Sequence, residues 1–362
     1  MSVLVPRPGI MDISAYVGGE SKVPGVSRIM KLASNEGALG PSPKAMEAFT
    51  AMAGELHRYP DGGSTELRET VGKAYGLDPE RIVFGAGSDE LIGLLVRAYA
   101  GPGDEVVYSE HGFLMYPIAA RTAGATPIAA PDLGLTADVD QILNKVTERT
   151  RIVFLANPNN PTGTYLPDSE MKRLRRKLPE NVLLVIDAAY AEYIDLEDYS
   201  PGIDLVDAGE NTVMTRTFSK IYGLGSLRLG WAYCPASIAD VLNRVRNPFN
   251  VCAAAQVAGV AAFLDAEFIA KSKRHNGQWR PWVMDQIRAL GYDVPPSVCN
   301  FFLVRFPEEP GRDADAADRF LKARGIIVRR MAGYGLPESL RISVGTEDEM
   351  KELVEALREF RG

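Results

Sequence analysis

The stretch TRTFSKIYGLGSLRLGW, residues 215–231, carries two cations through a segment that otherwise holds mostly small and apolar side chains. Lys220 and Arg228 are eight residues apart, and the segments TVMTRT and LGWAY on either side are typical of buried β-strands. Two interpretations fit this stretch alone. It is either a loop with two solvated charges or a site where two cations hold one ligand. The rest of the chain has to decide between them.

Length, charge and cysteine content restrict the class of protein. At 362 residues the chain exceeds the usual size of one domain, so we predict two domains. A formal charge of −7 argues against nucleic acid or an anionic membrane as a partner. Three scattered cysteines and three histidines without ligand spacing indicate a cytoplasmic protein without a metal site. We expect no signal peptide and no transmembrane segment.

Short apolar runs alternate with amphipathic helical patterns along the first two thirds of the chain. This alternation predicts an α/β fold, in which a mostly parallel seven-stranded sheet lies between helices. One helix is expected to begin at Ser88, with a Ser or Asp side chain as its cap. From residue 246 the pattern changes to a smaller α+β unit. We therefore predict an arm at 1–40, a large domain at 41–245 and a small domain at 246–362 that packs with the arm. The predicted strands of the large domain are residues 81–85, 104–108, 125–130, 151–156, 182–187, 212–217 and 229–233.

The residues that follow each strand are the candidates for function, because ligands of open α/β sheets bind at the carboxyl ends of the strands. GAGSDE at 85–90 leads into a helix and could offer backbone N–H groups to a phosphate. NPNNPTG at 157–163 holds Asn160 in a turn with two prolines. Asp187 ends a hydrophobic strand, and a buried carboxylate there needs a cationic partner. Lys220 follows the next strand in the same way.

These groups together are the set that pyridoxal phosphate uses. Lys220 would bind the cofactor covalently, and Asp187 would keep its ring nitrogen protonated, so that the ring acts as an electron sink. Asn160 and Tyr190 would hydrogen-bond the 3-oxygen of the ring, and Phe113 would stack on its face. The predicted phosphate-binding residues are Ser88, Asp89, Thr217, Ser219 and Arg228.

In this order, the residues resemble the fold-type-I pyridoxal-phosphate aminotransferases, and most closely the members that act on histidinol phosphate. Two departures from the family pattern occur, NEGALG at 35–40 where relatives commonly have NENPLG, and DAAY at 187–190 where DEAY is commoner. The first leaves the side-chain preference of the pocket open. The segments that carry the resemblance cover nearly the whole chain: LASNEGALGPSP, HRYPDGG, GAGSDELI, NPNNPTG, DAAYAEY, TRTFSKIYGLGSLRLG, NFFLVRF and SLRISVGT.

The resemblance also implies residues beyond the strand ends. It implies that Tyr59 reaches the cofactor phosphate of the neighbouring subunit in a homodimer. It implies that Arg341 binds the substrate anion together with Arg329 and Tyr16, and that Asn35 belongs to the substrate pocket. The catalytic residues that it implies are Lys220, Asp187 and Tyr190.

The resemblance implies transfer of an amino group between L-histidinol phosphate and 2-oxoglutarate, a step of histidine biosynthesis. Three alternatives stay open. One is an aromatic amino-acid aminotransferase, since arginines bind carboxylates as well as phosphates. The second is a pyridoxal-phosphate-dependent lyase of a phosphorylated amino acid. The third is a cofactor-binding regulatory protein, which the lack of a basic helix-turn-helix segment disfavours.

Overall fold

The computed structural model describes residues 4–15, 18–26 and 28–362 of the chain. Its strands are β1 (Met30–Lys31), β2 (Ile82–Gly85), β3 (Glu105–Ser109), β4 (Thr126–Ala130), β5 (Asp132–Leu133), β6 (Thr136–Ala137), β7 (Thr150–Ala156), β8 (Leu183–Asp187), β9 (Thr212–Thr217), β10 (Gly230–Tyr233), β11 (Phe301–Arg305), β12 (Ile326–Ile327), β13 (Arg329–Arg330) and β14 (Ser339–Ser343). Its α-helices are α1 (Pro43–Ala51), α2 (Thr65–Tyr75), α3 (Ser88–Tyr99), α4 (Met115–Ala123), α5 (Val139–Lys145), α6 (Asp168–Lys177), α7 (Ile203–Asp207), α8 (Ala236–Val245), α9 (Ala253–Leu264), α10 (Ala266–Ala289), α11 (Ala314–Ala323) and α12 (Glu347–Arg361).

The central sheet has seven strands in the order β2-β10-β9-β8-β7-β3-β4. Only β10 runs antiparallel to its neighbours, so the sheet is mostly parallel. Every residue of β8 and of β9 is buried, because helices cover both faces of the sheet. Each of the seven predicted strands lies in this sheet, and the predicted α/β fold is confirmed.

A second, antiparallel sheet of order β11-β14-β13 lies in the C-terminal part of the chain. Residues from the predicted arm pack beside it: β1 pairs in parallel with β12, and the backbone N–H of Ser343 donates to the Leu32 carbonyl oxygen at 2.8 Å. Met30 and Leu32 belong to the same hydrophobic core as residues of α10 and α12. The domain boundaries at residues 40 and 245 stay a prediction.

Within the described ranges, no single helix is both long and apolar enough to cross a bilayer. Helices α9 and α10 meet the length and composition criteria only together, and they are bent by 74°.

Candidate active site

A cavity of about 380 Å³ lies between the carboxyl ends of the parallel strands, the arm and the second sheet. Its volume falls in the range of small-molecule sites, roughly 300–1,000 Å³. The predicted site residues that line it are Asn35, Ser88, Asp89, Phe113, Asn160, Asp187, Tyr190, Thr217, Ser219, Lys220, Arg228, Arg329 and Arg341.

Lys220 extends into this cavity from the loop after β9. Its Nζ lies 3.5 Å from the Ser34 carbonyl oxygen and 5.5 Å from the ring centroid of Tyr190. Burial, and then the positive charge of Arg341, lower the pKa of Lys220 to about 8. A sizeable fraction of the side chain is therefore a neutral amine near pH 8, which makes it a competent nucleophile and base.

Asp187, the last residue of β8, has one satisfied carboxylate oxygen and one unsatisfied one. Its Oδ2 accepts a hydrogen bond from the Tyr116 hydroxyl at 2.8 Å, whereas its Oδ1 is buried without a partner. Burial raises the pKa of Asp187 to about 6. No salt bridge joins Asp187 to a cation of the described residues. A protonated nitrogen of a ligand would give Oδ1 the cationic donor that a buried carboxylate needs.

Hydrogen bonds between polar side chains connect the arm, the NPNNPTG turn and the second sheet. Asn35 Nδ2 donates to the Tyr190 hydroxyl at 2.9 Å, which leaves the hydroxyl hydrogen of Tyr190 for another acceptor. Arg341 Nη1 donates to Asn160 Oδ1 at 2.5 Å, and Nη2 donates to the Ala33 carbonyl oxygen at 2.9 Å. Tyr190 and Asn160 are thus fixed with donor groups available to an oxygen of a ligand.

The start of helix α3 corrects one detail of the sequence analysis. The predicted Ser or Asp cap is wrong, because Gly87 occupies the cap position at φ 85° and no side chain accepts from the first N–H groups. A Cβ at Gly87 would lie 2.3 Å from Arg228 Nη2, and one at Gly230 would lie 2.4 Å from the backbone nitrogen of Ser88. Because no side chain caps them, the N–H groups at the start of α3 stay available to an anion.

Arg228 lies beside this helix start. Its Nη2 donates to Asp89 Oδ2 at 2.7 Å, and its Nη1 donates to the Gly225 carbonyl oxygen at 3.1 Å. The backbone of Arg228 has φ 52°, in the left-handed region that non-glycine residues rarely adopt. Such strain is commonest at functional sites. The helix start, Arg228, Thr217 and Ser219 line the same cavity and are the residues that could hold an anion there.

Two arginines of the second sheet lie directly opposite each other and line the cavity. Arg329 of β13 pairs with Arg341 of β14 in the antiparallel register, and both side chains line the cavity. Like charges directly opposite on neighbouring strands repel each other. This arrangement is favourable when an anion lies between the two guanidinium groups. Arg330, the next residue, is exposed and forms an ion pair with Asp315 outside the cavity.

Comparisons with known proteins agree with this geometry. The family model described as aminotransferase class I and II matches residues 27–357. A histidinol-phosphate aminotransferase of Paramagnetospirillum magneticum is 64% identical over 362 residues and covers 100% of both chains. That of Rhodospirillum centenum is 61% identical over 99% of both.

The chain belongs to the class I and II aminotransferases.

A solved structure extends the similarity to a cofactor complex. The crystal structure of histidinol-phosphate aminotransferase from Sinorhizobium meliloti in complex with pyridoxal-5′-phosphate has a TM-score of 0.89 at 28% identity, and the match covers 99% of this chain and 98% of that one. The prediction of an aminotransferase with pyridoxal phosphate as its cofactor is confirmed.

The residues of this aminotransferase fit pyridoxal phosphate. The unpartnered Oδ1 of Asp187 matches a protonated ring nitrogen, and the uncapped start of α3 beside Arg228 matches a phosphate. Lys220 lies in the same cavity, and its lowered pKa suits a covalent amine–aldehyde bond. The individual roles of these residues stay predictions.

Two predicted residues do not line the cavity. Tyr59 is 83% exposed and stacks on Phe249 with ring centroids 4.8 Å apart. Its contact with a neighbouring subunit stays a prediction. Tyr16 lies outside the described residues.

Three residues that the sequence analysis missed are part of the site: Tyr116, which holds Asp187, and Glu36 and Tyr334, which line the cavity. The sequence around Tyr116 could have identified it as a site residue. It follows Phe113 by three residues after a strand end, and a buried tyrosine hydroxyl there has to find a hydrogen-bond partner. Tyr334 had no such signal, because it lies in the 3-10 helix between β13 and β14 and follows no strand of the central sheet.

Proposed function

We propose that this aminotransferase transfers an amino group from L-histidinol phosphate to 2-oxoglutarate in histidine biosynthesis. The observation that carries the proposal is the pair Arg329 and Arg341, opposite each other in the register of β13 and β14 and both lining the cavity of Lys220. The names of the relatives with 64% and 61% identity support the same donor.

The charge of the donor explains why two arginines suit it. Histidinol phosphate has no carboxylate beside its amino group, and its anion is a phosphate ester of up to two negative charges. A guanidinium group binds phosphate oxygens in a bidentate manner, which a lysine ammonium does not. A phosphate dianion therefore offsets the repulsion between Arg329 and Arg341 more fully than a single carboxylate does.

Each cofactor-binding side chain has a definite task in the proposed reaction. When bound, pyridoxal phosphate supplies an electron sink for the carbon that loses its proton. Asp187 holds the proton at the ring nitrogen, and Asn160 and Tyr190 donate to the 3-oxygen. The groups at the start of α3, together with Arg228, hold the phosphate.

Lys220 moves the proton. Lys220 would hold the cofactor until the donor amine takes its place, and Nζ would then be a free amine near the carbon that loses its proton. Burial and the charge of Arg341 lower the pKa of Lys220 to about 8. The neutral amine can therefore take up the proton of the carbon that bears the donor nitrogen and release it again. The keto acid acceptor reverses these steps, so we expect ping-pong kinetics.

Removal of Arg329 tests the proposed donor. We expect Arg329→Ala to reduce kcat/KM for histidinol phosphate by roughly tenfold or more, because one charge-assisted contact contributes about 1.5–3 kcal/mol. The loss for phenylalanine should be much smaller, since its carboxylate uses mainly Arg341. Steady-state kinetics with both donors and 2-oxoglutarate measure the difference.

Arg330→Ala is the matched control, because it removes the same charge from the adjacent residue, which pairs with Asp315 outside the cavity. It should leave both kcat/KM values close to wild type. A wild-type enzyme with a higher kcat/KM for phenylalanine or tyrosine than for histidinol phosphate would be an aromatic aminotransferase instead. Release of carbon dioxide from a phosphorylated amino acid without any keto acid would identify a lyase.

We also propose that the enzyme is a homodimer of the cytoplasm. Helices α1 and α9 pack together and present exposed apolar side chains, and such patches are typical of subunit interfaces. Tyr59 and Phe249 stack on each other and are exposed as well. A twofold dimer is the commonest assembly of this kind. A reducing cytoplasm suits the free cysteines Cys234, Cys252 and Cys299.

Mixed dimers test whether Tyr59 reaches the neighbouring site. Lys220→Ala and Tyr59→Ala chains should regain activity when they are unfolded together and refolded, provided that the Tyr59 change is severe enough to silence its own homodimer. Each hybrid then has one site with both residues intact. Random pairing predicts about one quarter of wild-type activity, because half of the dimers are hybrids with one intact site.

A mixture of Lys220→Ala and Asp187→Asn chains is the control, since both residues line the same cavity of one chain. In that mixture no hybrid has an intact site, and activity should not return. A fully active monomer in sedimentation at assay concentration would refute the shared site.

A further inference from the structure

Tyr116 connects two groups of the cofactor site that are otherwise separate. Its hydroxyl donates to Asp187 Oδ2 at 2.8 Å. Its ring packs edge-on against Phe113, with centroids 5.9 Å apart and an interplanar angle of 88°. The ring of Tyr116 also stacks in parallel on Phe154, with ring centroids 4.5 Å apart and an interplanar angle of 3°.

We infer that Tyr116 is a positioning residue of the reaction: it fixes the Asp187 carboxylate so that Oδ1 faces the ring nitrogen of pyridoxal phosphate, and it favours the ionised form of that carboxylate. The inference rests on the proposed role of Asp187 and does not depend on which amine is the donor.

The geometry leaves the Asp187 carboxylate little freedom to turn. Tyr116 is only 1% exposed, and its ring packs against both Phe154 and Phe113, which restricts the position of its hydroxyl. A carboxylate that accepts this hydrogen bond on Oδ2 has one defined direction for Oδ1. Oδ1 is buried and has no other partner among the described residues. The orphaned oxygen is thus held ready for a ligand.

The hydrogen bond between Tyr116 and Asp187 favours a neutral tyrosine and an ionised aspartate. Burial, and then the charge of Asp187, raise the pKa of Tyr116 well above its usual value, so the hydroxyl keeps its proton and donates. Burial and, to a smaller extent, the charge of Asp89 raise the pKa of Asp187, while the hydrogen bond from Tyr116, a backbone hydrogen bond from Ala189 and the charge of Lys220 lower it. Without the hydroxyl, the ring-nitrogen proton shifts toward the carboxyl group, and the cofactor becomes a weaker electron sink.

Tyr116→Phe tests the inference, because it keeps the aromatic packing and removes only the donor. Enzyme loaded with pyridoxal phosphate that carries ¹⁵N at the ring nitrogen is titrated by NMR. We expect the ¹⁵N shift of the variant to show a smaller protonated fraction of the ring nitrogen than in wild type. The half-reaction with an amine that wild type accepts should slow by about tenfold to a hundredfold, the usual effect of losing a hydrogen bond to a charged group.

A double-mutant cycle separates a role through Asp187 from a general structural one. In the Asp187→Asn background, Tyr116→Phe should add little to the change in either readout. Tyr233→Phe is the matched control. Tyr233, the last residue of β10, is buried, and its hydroxyl donates to Asp207 at 2.6 Å outside the cavity. Tyr233→Phe should match wild type in both measurements.

The outcomes are distinguishable. A Tyr116→Phe enzyme with the wild-type ¹⁵N titration, while Asp187→Asn alters it, overturns the inference and leaves the proposed role of Asp187 standing. An unchanged titration in Asp187→Asn overturns both. Full additivity of the two substitutions in the cycle also overturns the inference, because Tyr116 would then act independently of Asp187.

Discussion

Lys220→Ala is expected to abolish covalent attachment of the cofactor and nearly all turnover. The structure offers one lysine in the cavity among the described residues, and its lowered pKa of about 8 gives it the neutral amine that both attachment and proton transfer need. General acid–base catalysis alone contributes roughly 10²- to 10⁴-fold, and attachment is lost in addition. Borohydride reduction followed by peptide mapping measures attachment, and steady-state kinetics measure turnover.

Lys273→Ala is the matched control. Lys273 is a partly buried lysine of α10 whose Nζ bonds Asp195 outside the cavity, and its removal should change neither readout much. A reduced cofactor–peptide adduct from the Lys220→Ala protein would show that another lysine holds the cofactor.

The pH dependence of cofactor uptake follows from the same pKa. Below about pH 8 the Lys220 side chain is mainly a cation, which cannot attack an aldehyde, and above it the amine is mainly neutral. Uptake by the cofactor-free enzyme should therefore rise with pH, reach half of its maximum near pH 8 and level off about one unit higher. An exposed lysine, with its usual pKa of about 10.4, would level off more than two units higher. Stopped-flow absorbance at several pH values distinguishes the two.

Asp187→Asn is expected to keep the fold and slow the half-reaction by roughly 10²- to 10³-fold, the usual effect of removing one preorganised electrostatic partner. A neutral amide cannot hold a proton on the ring nitrogen, whereas the carboxylate does so above its raised pKa of about 6. Circular dichroism and thermal melting check the fold. Single-turnover absorbance with an amine donor measures the half-reaction.

Asp207→Asn is the control for this substitution, because Asp207 also accepts a hydrogen bond from a buried tyrosine hydroxyl but lies outside the cavity. The half-reaction rate of Asp207→Asn should stay near that of wild type.

The pH dependence of cofactor binding gives a second check. As pH falls through about 6, the wild-type enzyme should lose cofactor affinity, because Asp187 takes up a proton. The Asp187→Asn variant should lack this change. A near-normal half-reaction rate in Asp187→Asn would contradict the role of Asp187 at the ring nitrogen.

The sequence by itself determined the elements and the order of the cofactor groups. The seven apolar runs became the seven strands of the central sheet. Burial on both faces gives central strands such as β8 a continuous apolar pattern that can be recognised locally, whereas β4 at the edge is partly exposed. Residues that follow parallel strands share one edge of a sheet, so Asp187, Asn160 and Lys220 could be assigned to one site before any contact was known.

Only the tertiary structure decided which side chains touch. Tyr116 and Asp187 are 71 residues apart and Asn35 and Tyr190 are 155 apart, and no local periodicity relates them. The sequence analysis expected a cationic partner for Asp187, but the described structure supplies a tyrosine hydroxyl and leaves one oxygen for the ligand. The opposition of two arginines likewise depends on the strand register, because a slip by one residue would turn one of them to the other face of the sheet.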